Sequence, residues 1–151
     1  FIMDYGFITI LRQDDESEVE GSLVWEFPSD EENVFEFELG EDRLAELAYY
    51  YKPIHVPDLE QDKALRQELE DIFQKRFRSA LLIPMQILGN CLGFLGVFTL
   101  EKPRLYNLVE IDMGQRLADI AALAILTILY TRQNDMKLDL PGEEVLGEES
   151  I

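Results

Sequence analysis

Apolar positions fall into nine runs whose spacing switches between two residues and about 3.6. "GFITILR" from Gly6 to Arg12 reads as a strand, followed by the acidic loop "QDDESEVEG". "SLVWEFP" reads as a second strand, with Leu23, Trp25 and Phe27 expected on one face. After the turn "SDEEN", "VFEFEL" alternates strictly, with Phe35, Phe37 and Leu39 inward and Glu36 and Glu38 outward. From Glu41 to Tyr51 the period changes. Leu44, Leu47, Ala48 and Tyr51 form one stripe of an amphipathic helix. "KPIHVPD" is a short strand between two prolines, and Pro57 marks it as an edge. Asp62 to Phe77 reads as a second helix capped by Asp62, with Leu65, Leu69, Ile72, Phe73 and Phe77 on its stripe.

The stretch "RSALLIPMQILGNCLGFLGVFTLEKPRLY", Arg78 to Tyr106, behaves differently. It holds a hairpin that is apolar on both faces. Leu81, Ile83, Met85 and Ile87 point one way; Ala80, Leu82 and Pro84 point the other. Gly89 and Asn90 are expected to supply the positive φ values of the turn. A hairpin with no polar face needs cover on both sides, so it belongs at the centre of the sheet. The final helix starts near Asn107, where Asn107 and Glu110 fit a capping box, and runs to about Met136. Residues 137–151 form an acidic tail without a packing pattern. The order β-β-β-α-β-α-β-β-α predicts an α+β domain over residues 1–136. Its core would be a central antiparallel sheet of about six strands with helices on both faces and a long C-terminal helix.

Composition narrows the partners. The formal net charge of −18 disfavours nucleic acid and anionic membrane surfaces. The basic knot Lys75, Arg76 and Arg78 reads as a solvated helix end. A single cysteine, Cys91, excludes an internal disulfide and any cysteine-rich zinc site, and fits a cytoplasmic setting. The strongest apolar run, Ile120 to Tyr130, is about half the roughly 20 residues of a membrane span, so membrane insertion is not expected.

Several motifs together resemble the GAF domain family. In that family a strand ending in Pro-Leu leads through a glycine-bearing hairpin into "GxLxL", then an aromatic, then a helix with "LAxxxAxAI". The counterparts here are Leu82 to Met85, Leu92 to Leu100, Tyr106, and "LADIAALAI" from Leu117 to Ile125. Upstream, Lys52 to Asp62 is similar to the family's "gkPxxvxDxxxD". The likeness is carried by residues 43 to 133, and by element order before them. It implies a sensory or regulatory module, common in bacterial histidine kinases and response regulators. It also implies a helix ahead of the first strand, so an N-terminal helix is expected upstream of Phe1. Any ligand pocket is expected between the sheet and the segment Ile54 to Phe77, touching some of Trp25, His55, Phe73 and Phe77. The resemblance names no cofactor, since family members bind cyclic nucleotides, bilins, haem, small metabolites or nothing known.

Enzyme chemistry has little support. His55 is the chain's only histidine, so no histidine pair can form. Its first reading is a structural or exposed edge position, with hydrogen bonding to a ligand as the functional one. Cys91 precedes Leu92 rather than the His of bilin-attaching members and lies on another element. One cysteine cannot run a disulfide cycle like that of the family's methionine-sulfoxide-reducing branch. The cyclic-nucleotide signature of that family does not map onto this sequence. Asp58 reads as a cap. The acids Asp14 to Glu20 lack the spacing and glycine of a calcium loop, and no glycine-rich phosphate loop follows a strand into a helix. The last helix is apolar around its whole circumference between Asp119 and Arg132. One side suffices for a sheet, so the surplus predicts a homodimer through that helix. A non-enzymatic sensor acting on this interface is the favoured reading. The rivals are a ligand-free dimerisation scaffold and, more weakly, a small redox or metabolic enzyme.

Overall fold

The computed structural model describes residues 3–13, 19–28, 36–39, 43–46 and 52–138. Six strands form one antiparallel sheet: β1 Tyr5–Gln13, β2 Val19–Phe27, β3 Glu36–Leu39, β4 Ile54–Val56, β5 Ser79–Ile87 and β6 Asn90–Thr99. Their order is β3-β2-β1-β6-β5-β4. The two-faced hairpin β5–β6 is therefore interior, and the proline-bracketed β4 is an edge. A 3-10 turn, Leu59–Gln61, leads into helix α1, Lys63–Phe73. Helix α2 runs Leu108–Leu138.

Side chains alternate along β5 as the pleat requires. Ala80 and Leu82 join Phe7, Phe73, Phe77, Phe94 and Phe98 on the α1 side. Leu81, Ile83 and Met85 join Tyr106, Ala118 and Ala122 on the α2 side. At the sheet centre Gly93 pairs with Ile10, and a Cβ there would lie 1.9 Å from the Thr9 carbonyl oxygen. That approach of backbone to backbone requires glycine.

Three local expectations are corrected. The second predicted helix ends at Phe73, not Phe77, because Gln74 adopts a left-handed C-cap with φ 58°. The hairpin turn is Leu88–Gly89, with φ of 51° and 79°, one residue earlier than expected; Asn90 already pairs with Ile87. Pairing of Ile8 with Trp25 but Thr9 with Leu23 leaves Val24 as an extra residue in β2. This bulge sends Leu23 to the α1 face and Trp25 to the α2 face, splitting a trio expected on one side. Phe27 is half exposed.

Other expectations hold. Asp62 caps α1, its Oδ1 accepting from Leu65 N–H at 3.1 Å. Asn107 and Glu110 form the reciprocal capping box, at 2.8 and 3.1 Å. Of the helix expected at Glu41–Tyr51, only residues 43–46 are described. Val34, Phe35, the acids 14–18 and the tail from 139 likewise lie outside the described residues.

Candidate functional site

The α1 face of the sheet is filled by rings. Phe77 stacks on Phe98, with centroids 4.2 Å apart, and on Tyr5 at 5.4 Å. Phe73 lies 4.6 Å from Phe7 and meets Phe77 edge-on at 5.8 Å. These residues come from β1, α1, β6 and the connection after α1, yet their apolar faces meet because β1, β6 and α1 are layered together. The buried Tyr5 hydroxyl donates to Glu26, and the Lys75 ammonium sits 4.2 Å above the Tyr5 ring. Phe73 and Phe77 are thus core residues packed against each other.

His55 lies apart from them, on the edge strand. Its Nε2 accepts the backbone N–H of Tyr106 at 3.2 Å. Nearby, the Arg104 N–H donates to the Pro57 carbonyl at 3.0 Å. Desolvation by partial burial pushes the His55 pKa below its ordinary value, outweighing a hydrogen bond with the Arg104 backbone and the attraction of Glu110. On its outer side His55 borders a cavity of about 510 Å³ lined also by Arg43, Glu46, Lys52, Pro53 and Ile54. Arg43 is held there by the Asp62 carboxylate. Leu44 N–H donates to Glu68 of α1 at 3.1 Å. The polar lining suits a small charged molecule better than an apolar one.

Asp58 performs the capping expected of it. Its Oδ1 accepts from Glu60 N–H at 3.1 Å, and Arg78 grips both carboxylate oxygens at 2.9 and 3.2 Å. That hydrogen-bonded guanidinium holds the Asp58 carboxyl below the usual carboxylate range. Arg78 of the basic knot is therefore a tie across the fold. Cys91 is partly buried and its burial pushes the thiol pKa up, which disfavours the thiolate. Among the described residues no three His, Cys, Asp or Glu side chains converge as a metal site needs.

Trp25 borders a second, apolar groove of about 510 Å³ on the opposite face of the sheet, with Ile8, Leu117, Ala121, Ala124 and Ile128. The structure thus separates the four predicted ligand contacts into three places: Phe73 and Phe77 in the core, His55 at the β4 edge, and Trp25 beside α2. Helix α2 turns its small residues inward. Gly114, Ala118 and Ala122 are buried on the sheet, whereas Leu117, Ile120, Leu123 and Ile128 are about half or more exposed. Leu108–Arg132 is also long and apolar enough to cross a membrane by length and composition. Sequence reading found the surplus of apolar residues on α2 but not which ones the sheet would take. It also missed the contact from His55 to Tyr106, 51 positions apart, since nothing between them announces it.

A family model described as GAF domain matches residues 3–126. No curated protein matches the chain. Solved structures with the same fold include the GAF domain of a phosphoenolpyruvate-protein phosphotransferase from Coxiella burnetii. It is 19% identical with a TM-score of 0.69, covering 87% of this chain and 76% of that one. The blue-light absorbing form of the PixJ GAF domain from Thermosynechococcus elongatus is 19% identical, with a TM-score of 0.63 and coverage of 90% and 82%. A domain assigned to a two-component sensor histidine kinase of Sinorhizobium meliloti 1021 is 16% identical, with a TM-score of 0.62 and coverage of 87% and 86%.

Proposed function

The chain belongs to the GAF domain family, and from that premise we propose that it is a non-enzymatic sensory or regulatory domain of a bacterial signal-transduction protein of the two-component kind, acting in the cytoplasm. In this reading two copies associate through α2, and a small molecule at the β4 edge biases how those helices pack. A ligand acts on such an equilibrium only through different affinities for its two states. The observation that carries the proposal is the inverted burial of α2: small residues inward, large apolar residues outward. A helix that only had to cover a sheet gains nothing from Leu117, Ile120, Leu123 and Ile128 in water. Burying each of these partly exposed chains is worth roughly 1 kcal/mol, about half the value for full burial. An isologous pair counts each residue twice, which brings the gain into the range of the association cost of about 4–15 kcal/mol. The strong negative charge keeps other surfaces apart, whereas α2 carries no charge between Asp119 and Arg132.

Sedimentation tests this. The unmodified chain is expected to be a dimer, and Ile120→Glu a monomer with unchanged far-ultraviolet circular dichroism. Ile120 is preferred to Leu126 or Leu129, which are the less exposed, at 37% and 41% against 64%. A monomeric unmodified chain would overturn the proposal, and so would partition of α2 into vesicles in place of self-association.

A second reading is favoured by the ring packing on the α1 face. Phe73 and Phe77 occupy the space in which a ligand between the sheet and α1 was expected. A scaffold that dimerises without a ligand would need nothing more. Native mass spectrometry of freshly purified protein separates the two, because it reports a copurified small molecule and subunit number together.

A further inference from the structure

Edge strand β4 is joined to the chain that enters α2 by two hydrogen bonds, and one of them ends on an imidazole. A backbone N–H can only donate. His55 Nε2 must therefore present a lone pair to Tyr106, which fixes the ring as neutral with its proton on Nδ1. We propose that the contact between His55 and the Tyr106 amide is a proton-sensitive latch that ties β4 to the start of α2 and releases when the imidazole takes a second proton. Protonated Nε2 would direct an N–H at the N–H of Tyr106, so the bond is lost and two like dipoles oppose each other. This goes beyond the signalling role proposed above and does not depend on subunit number.

The surroundings favour this assignment. The β5 residues opposite β4 are Ala80, Leu81 and Leu82, which carry no charge. The connection to α2 contributes Arg104 and Tyr106. Arg104 is paired with Glu110 at 2.8 Å and lies 5.2 Å from the centre of the Tyr106 ring. On α2, Glu110 acts on the imidazole, and its hydrogen bonds from Asn107 N–H and Arg104 hold its carboxyl below the usual range. Arg43, Glu46 and Lys52 border the cavity on the outer side. Glu110 and Asp58 are thus already ionised where histidine titrates, so neither changes charge along with His55. The position is also mechanically apt. Tyr106 is buried in the apolar layer between the sheet and α2, just ahead of that helix, so freeing its backbone loosens the step between β6 and the helix proposed to carry output.

Nuclear magnetic resonance on the intact chain tests the latch, and the single histidine gives one unambiguous imidazole signal. That signal should titrate below pH 6.5. The protection factor of the Tyr106 amide, corrected for intrinsic exchange, should be constant above the imidazole midpoint. Below it, protection should fall about tenfold per pH unit, the slope of one linked proton. In His55→Phe the Tyr106 amide should be unprotected and its protection independent of pH. The unmodified protein decides the matter if that variant fails to fold. Tyr106 protection that stays flat through the imidazole titration would overturn the proposal, as would a fall shared equally by amides across the whole sheet.

Discussion

Replacing Phe77 with alanine asks whether that ring is core or a shelf for a ligand. Its side chain is 2% exposed. It stacks at 4.2 Å on Phe98 and at 5.4 Å on Tyr5, and meets Phe73 edge-on at 5.8 Å. Removing it deletes the transfer free energy of a full aromatic side chain and leaves a cavity that three rings cannot close without shifting. Phe→Ala changes in such settings cost about 3–5 kcal/mol. Each well-oriented ring pair contributes about 0.5–1.5 kcal/mol beyond its area, so three partners argue for the upper half of that range. Domains of this kind are stable by about 5–15 kcal/mol, so the variant should still fold in buffer at room temperature. The assay is equilibrium urea unfolding followed by circular dichroism. With a urea dependence near 2 kcal/mol per molar, the midpoint should drop by about 2 M at unchanged slope. A cost below about 1 kcal/mol would refute the reasoning. It would mean that the ring borders open space that neighbours readily fill, and the ligand role first expected of Phe77 would return.

Two further predictions concern stability. Leu88→Asn should stabilise the fold by about 0.5–1 kcal/mol in the same assay. Leu88 is 91% exposed with φ 51°, so it loses no packing and sheds part of the left-handed cost of about 1–2 kcal/mol. Stability should also fall in mild acid through His55. Its folded pKa lies below the unfolded value of 6.5, so the unfolded chain binds the extra proton first. The contribution is complete above pH 6.5 and is lost as pH drops through the folded pKa. Urea midpoints for the unmodified protein and His55→Phe should converge over that interval, and parallel curves would contradict it.

The order of elements, the sheet's size and the placement of its central hairpin were legible in the sequence because each rests on a local period. Ala80 and Leu82 against Leu81 and Ile83 reported two covered faces, and six strands followed from spacing and turns. Both helix N-caps, Asp62 and Asn107, were legible for the same reason, since a cap is chemistry within four residues. Of what failed locally, the second helix lost its last four residues at the left-handed Gln74, and the turn and β2 each failed by one residue. Leu23 and Trp25 share a face in an unbroken strand, and Val24 breaks it. Nothing in "SLVWEF" marks that bulge, because it answers the demands of pairing with β1. The same holds for the site. Phe73 and Phe77 are apolar whether they line a pocket or fill one, and only the approach of Phe98 and Tyr5 from two other strands shows the space taken. His55 read as an isolated edge residue because its partner is a backbone amide, which every residue but proline carries. Hydrogen bonds to backbone leave no side-chain signature at the far end. The sequence therefore determined which faces must be buried, while tertiary structure decided which groups meet on them, because contact between distant segments depends on register and packing that no local period encodes.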